Sequence, residues 1–279
     1  MVRIAVVQPV LSAPPADEEN VAAAVAYIHQ AASEGAEIVA FPETYPGPWR
    51  MPANYDPTEV MADAARDAGV YVQYGSLEPI SGRDRAAYNV LRLAYPGDAR
   101  PAGNYRRTHP PGPWVYLDGP MWDFDYVAGD EIKVFPTENA VVGLAMCSEV
   151  YMPEITRALA LQGAEIIFMP GGLSKKALWE TWHNLLWSRA IENLAVVVTT
   201  QSLQSPTERG LAMVASPEAI LFESTVPGMF MVDVDLDRIR ELRRRIDRRG
   251  SNESAATKTG LLTQWQRPEL RDVLHANGS

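Results

Sequence analysis

Apolar residues in this chain gather into short solid blocks, separated by stretches in which they recur every three or four positions. The segments RIAVVQ (3–8) and AEIVAFPE (36–43) are blocks of the first kind and predict strands covered on both faces. Between them Val21, Ala24, Val25, Ile28, Ala31 and Ala32 share one helical face, with acids crowding the first turn and Gly35 closing the last. The same reading predicts a helix at about 57–68 and strands at 70–80, 88–95 and 103–109. It continues with a strand at 141–147, a helix at 153–164, a strand at 164–170, a helix at 178–194 and a strand at 195–202. Strands at 210–217 and 229–236 precede a charged helix at 236–247. Strands alternating with helices place the chain in the α/β class.

One internal echo organises this list. ASEGAEIVAFPE (32–43) and ALQGAEIIFMPG (160–171) share a helix end, Gly-Ala-Glu, an apolar strand and a proline in register. The repeat predicts two pseudo-equivalent halves facing one another. It also isolates a difference, because Glu43 ends the first copy where Gly171 ends the second. A carboxylate at the carboxyl end of a buried strand stands where α/β proteins often place chemistry.

Charge and cysteine usage narrow the function. With 35 acidic and 25 basic side chains the net charge is −10, which argues against nucleic-acid and membrane-surface binding. No apolar run approaches the ~20 residues that span a bilayer, and the apolar start is too short for a signal peptide. A soluble cytoplasmic protein is the expectation. Four scattered histidines and one cysteine make a metal site an unexpected reading.

That cysteine, Cys147, is either a small buried hydrophobe or a nucleophile. It ends an apolar strand and precedes SEVYMPE, which opens a helix, so it sits at an elbow where N–H groups can stabilise a thiolate or an oxyanion. A thiol nucleophile needs a base, and Glu43 is the best-placed candidate once burial raises its proton affinity. Tyr45, Trp49, Trp114 and Trp122 lie in adjoining loops and are candidate pocket residues. Trp179, Trp182 and Trp187 read as core or interface, Arg189 and Glu192 as an intrahelical pair, and the run from Arg243 to Arg249 as a solvated helix end.

FPE (41–43), GNYRRTH (103–109), CSEVYMPEITRALALQGAEIIFMP (147–170), RAIEN (189–193) and RPEL (267–270) together resemble the nitrilase, or carbon–nitrogen hydrolase, superfamily, in order along the chain. The resemblance implies a four-layer αββα sandwich with two pseudo-equivalent halves, one domain over 1–279, and a dimer or larger homo-oligomer. Residues from about 250 to 279 would form a packing or interface arm. It implies no cofactor and a small-molecule amide, carbamoyl or nitrile substrate. Cys147 would be the nucleophile that forms a thioester and Glu43 the general base. Glu149, Gly171 and Asp123 would line the substrate.

Two positions depart from that family's pattern. Arg107 occupies the place of its catalytic lysine, and no lysine precedes Lys133. Arginine cannot shuttle a proton, but its charge and fork of donors can hold an oxyanion. No glutamate lies between Glu78 and Glu131, so Asp118, Asp123 or Asp125 would have to replace the family's second glutamate, with Asp123 nearest by spacing. The resulting expectation is a thiol-dependent C–N hydrolase. The alternatives are an impaired homologue serving as a binding or scaffold protein, and an acyl transferase or condensing enzyme using Cys147.

Overall fold

The computed structural model describes residues 1–97, 101–110, 125–172, 176–246 and 257–270. Its first half runs β1 (Val2–Gln8), α1 (Glu19–Ser33), β2 (Ile38–Ala40), α2 (Thr58–Ala68), β3 (Tyr71–Ile80), β4 (Arg83–Ala94) and β5 (Pro101–Arg106). Two short strands follow, β6 (Asp125–Tyr126) and β7 (Val134–Pro136). The second half runs β8 (Val141–Leu144), a 3-10 turn (Cys147–Tyr151), α3 (Pro153–Leu161), β9 (Ile166–Phe168), α4 (Trp179–Asn193), β10 (Val196–Thr199), β11 (Ala212–Ala215) and β12 (Ile220–Ser224). It closes with β13 (Gly228–Val234) and α5 (Leu236–Arg244).

The echo read from sequence is a real repeat of topology. One sheet has the order β13-β1-β2-β3-β4-β5, with β6 alongside β4, and the other β12-β11-β10-β9-β8-β7. In each, three consecutive strands run parallel, β1-β2-β3 and β8-β9-β10, before the chain turns back antiparallel. Each first parallel strand is flanked by an antiparallel strand that follows the other half in sequence: β13 beside β1, and β7 beside β8. This exchange ties the halves together.

The layers follow from alternation along strands buried on both faces. Ile4, Val6, Ile38, Leu91, Val142, Leu144, Ile166, Phe168, Val196 and Val198 meet between the sheets. Their neighbours Ala5, Val7, Val39 and Val72 face outward against Ala24, Ile28 and Ala31 of α1 and Met61 and Ala65 of α2. On the far side Ile167, Met169 and Val197 pack against Ile155 and Leu159 of α3 and Leu186 and Ala190 of α4. The architecture is the expected four-layer αββα sandwich.

The Gly-Ala-Glu repeat has a physical cause. Gly35 and Gly163 leave their helices at φ 84° and 105°, where a side chain would be strained. The glutamate two residues on then grips the neighbouring strand. Glu37 Oε1 accepts Arg3 N–H at 3.1 Å, and Glu165 Oε2 accepts Val141 N–H at 3.0 Å.

Three expectations change. The strands β7 and β12 were not legible as such, and β5 ends at Arg106 rather than running through His109. Of the run from Arg243 to Arg249, Arg244 is exposed and 247–249 lie outside the described residues, but Arg243 is partly buried and donates to the carbonyls of Leu194, Ala164 and Gly163, capping chain ends from both flanking helices. Among the described residues, no helix is long and apolar enough to cross a membrane.

Candidate active site

Glu43, Arg107 and Cys147 come from three different segments and meet at one place. Two carbonyls in the loop after β9 set the distance between two of them. Glu43 N–H donates to Gly171 O at 3.0 Å, and Cys147 N–H donates to Pro170 O at 2.8 Å. The carboxylate of the first half and the thiol of the second are therefore hung from adjacent peptide groups. Gly171 N–H in turn bonds Thr200 O at 2.9 Å, fixing that loop to the end of β10.

Cys147 opens its 3-10 turn at φ 53°, a left-handed conformation that non-glycine residues rarely adopt. It keeps some accessible surface. The Glu43 carboxylate and the Gly172 backbone are the groups that act on its sulfur. Burial, then the Glu43 charge, pushes the thiol up to about 12, while Arg107 works in the opposite direction. Burial also raises Glu43, opposed by the Arg107 charge.

Arg107 lies one residue beyond β5, and strand alternation decides which arginine of the doublet enters the protein. Arg106 points outward to Glu78 at 2.5 Å and covers the Tyr88 ring at 4.4 Å. Arg107 is fully buried. Its Nη1 donates to Glu43 Oε1 at 2.9 Å, its Nη2 to Ser148 Oγ at 2.5 Å and its Nε to the His109 carbonyl at 3.1 Å. The guanidinium thus bridges the Glu43 carboxylate and the residue next to the thiol.

Glu149, also fully buried, is spent on architecture. Its Oε1 accepts from Tyr105 Oη (2.7 Å), Thr108 N (2.9 Å), Thr108 Oγ1 (3.0 Å) and His109 N (3.1 Å). Its Oε2 accepts Met146 N–H at 2.9 Å. One carboxylate therefore pins the turn after Arg107 to the turn that carries Cys147.

The remaining sequence candidates are placed differently. Tyr45 is fully buried in the outer hydrophobic layer, stacked on Phe41 with centroids 5.5 Å apart. Trp49 is likewise fully buried. Gly171 makes room for packing, since a Cβ there would lie 2.6 Å from the Trp182 ring. Gly172 is the glycine that faces the carboxylate: its Cβ would stand 2.9 Å from Glu43 Oε2. Asp125 is exposed, 3.9 Å from Arg83. Trp114, Asp118, Trp122 and Asp123 lie outside the described residues. Sequence reasoning missed Asn89 and Ser148. Asn89 Nδ2 donates to Glu43 Oε1 at 2.7 Å, and its only signal was a polar residue inside the apolar run YNVLRLAY.

Comparisons with known proteins bear on the family and the fold. The carbon-nitrogen hydrolase family model matches residues 3–244. The omega-amidase of Homo sapiens is 26% identical over 266 residues, 88% of this chain and 92% of its own length. The deaminated glutathione amidase of Synechocystis is 26% identical over 246 residues, covering 82% and 90%. Among solved structures, a glutamate-to-glutamine variant of the Nesterenkonia sp. AN1 amidase superposes with a TM-score of 0.71 at 21% identity, over 87% of this chain and 94% of that one. That structure carries the acetamide moiety of fluoroacetamide on its active-site cysteine.

Proposed function

The chain belongs to the carbon–nitrogen hydrolase family, with Cys147 at the active-site position, and from that premise we propose that it is an amidase of small molecules working through a Cys147 thioester. The observation that carries this reading is the meeting of Cys147 and a buried Glu43, hung from the adjacent carbonyls of Pro170 and Gly171, with the Glu43 carboxylate paired to Arg107 at 2.9 Å. An amide is favoured over a nitrile because the relatives carry amidase names.

A thiol held up to about 12 is neutral at rest, so it needs a base at the moment of attack. Glu43, itself raised by burial, takes the Sγ proton as sulfur adds to the amide carbon. The carbonyl oxygen becomes an oxyanion, which the Arg107 charge stabilises. Glu43 then returns the proton to the leaving nitrogen, the C–N bond breaks and ammonia or an amine departs. Water attacks the thioester while Glu43 accepts a proton from it. The carboxylic acid leaves, and the proton returns to sulfur. The sum is amide plus water giving acid plus amine, with no redox change. Arginine suits this scheme because Glu43 alone moves protons, and the cation needs only to hold charge.

The test is ammonia release from a panel of primary amides, including ω-amides of dicarboxylic acids. Activity abolished by Cys147→Ser and by Glu43→Gln supports the reading. An inactive native protein over the whole panel, or a fully active Cys147→Ser variant, overturns it.

A further inference from the structure

A carboxylate has two oxygens, and rotation about one bond exchanges them. Around Glu43 that symmetry is broken by two donors that converge on the same atom: Asn89 Nδ2 at 2.7 Å and Arg107 Nη1 at 2.9 Å, both on Oε1. Each carboxylate oxygen offers about two lone pairs, and both donors engage Oε1. Oε2 remains, and it is the oxygen turned toward Gly172, in the loop whose Pro170 carbonyl holds Cys147 N–H. We infer that Asn89 is a positioning residue that fixes which oxygen of Glu43 works: Asn89 and Arg107 hold Oε1, and Oε2 exchanges the proton with Cys147. The inference rests on the amidase reading for its chemistry.

Two further observations support it. Asn89 is fully buried in β4, yet its Oδ1 makes no hydrogen bond among the described residues. Its amide donor is matched to Glu43 at 2.7 Å. In addition, the Asn89 carbonyl accepts Arg107 N–H at 2.9 Å. The same residue therefore holds the base through its side chain and the backbone of the neighbouring cation, as preorganised sites require.

The test compares Asn89→Leu, which matches the shape without the donor, with Asn89→Asp, which places a second carboxyl against Oε1. Turnover of a primary amide and alkylation of Cys147 by iodoacetamide are both followed against pH. For Asn89→Leu the expectation is a cooperative thermal melt, KM within about threefold of the native value and kcat lowered roughly 100-fold. For Asn89→Asp the acid limb of kcat/KM moves upward by about one pH unit, because two adjacent carboxyls do not ionise together. If Asn89 acts through Glu43, then Asn89→Leu adds nothing to Glu43→Gln in the double variant. Native kcat and pH profile in both Asn89 variants, or additive losses in the double variant, overturn the inference. A native protein without amidase activity would defeat the amidase reading instead. The alkylation rates would then decide the Asn89 question: slowing that disappears in the Glu43→Gln background supports it, and unchanged rates overturn it.

Discussion

Arg107 Nη1 stands 2.9 Å from Glu43 Oε1, an ion pair with both partners withdrawn from solvent. Neither charge is affordable alone at that depth, so the pair accounts for the permanence of a buried arginine and for the ability of a buried glutamate to ionise. Breaking such a pair from one side costs about 3 kcal/mol or more. Arg107→Met should therefore lower the melting temperature, with a deficit that depends on pH. Without its cation, Glu43 is raised further. A raised carboxyl favours the folded state below its unfolded value, near 4.5, and that contribution is lost as pH climbs through the folded value. The deficit relative to the native protein should be smallest near pH 4 and grow toward neutrality. Thermal melts at a series of pH values check the sign.

Arg107→Lys keeps the charge but gives up the fork that reaches Glu43, Ser148 and the His109 carbonyl together. The variant should fold and retain an alkylatable Cys147, with kcat lowered at least about tenfold. Steady-state kinetics on one amide measures this.

The thiol carries a second pH signature. Its folded value near 12 exceeds the ordinary 9.0, so folding binds a proton that the unfolded chain releases. That contribution is fully present below about pH 9 and is lost progressively up to about 12. Cys147→Ser has no such proton, and its stability relative to the native protein should rise with pH above 9 by at most about 1.4 kcal/mol per unit. Denaturant titrations of both proteins between pH 8 and 10.5 test the difference.

Gly172→Ala separates chemistry from stability. The added methyl would stand 2.9 Å from Glu43 Oε2, a contact relieved by a shift of a few tenths of an ångström that leaves the Oε1 bonds to Asn89 and Arg107 in place. The melting temperature should change little, while kcat/KM falls at least about tenfold because the base is displaced.

Glu149→Gln should do the opposite kind of damage. Its Oε1 gathers four hydrogen bonds from Tyr105, Thr108 and His109 and its Oε2 one from Met146 N–H, so an amide in either orientation turns its NH2 against a buried donor. Stability should fall by about 2–3 kcal/mol, together with activity. Tyr105→Phe, which removes one of the donors, should cost about 1 kcal/mol.

Glu43 was legible because it closes one copy of the internal repeat, and Cys147 because it is the one cysteine and follows an apolar strand at an elbow. Arg107 was legible only by its place in GNYRRTH, and strand alternation explains why it, and not Arg106, is buried. Asn89 was not legible: its partner lies 46 residues away, and nothing local distinguishes it from a polar interruption of a strand. Tyr45 misled for a related reason, because a loop sequence does not say which layer a ring will join. Strand β7 is short, and β12 alternates between half-buried and exposed side chains instead of forming a solid apolar block, so both gain their identity from β8 and β11. Arg243 looked solvated because its partners are carbonyls, which carry no signature in a sequence.

The most direct test of the account is the intact mass of the protein, acid-quenched while it turns over a primary amide and then digested to locate any adduct. The account predicts a population heavier by the acyl group of that amide, confined to the peptide containing Cys147 and absent from Cys147→Ser. Ammonia release with no acyl adduct on Cys147, or with the adduct on another residue, would contradict it.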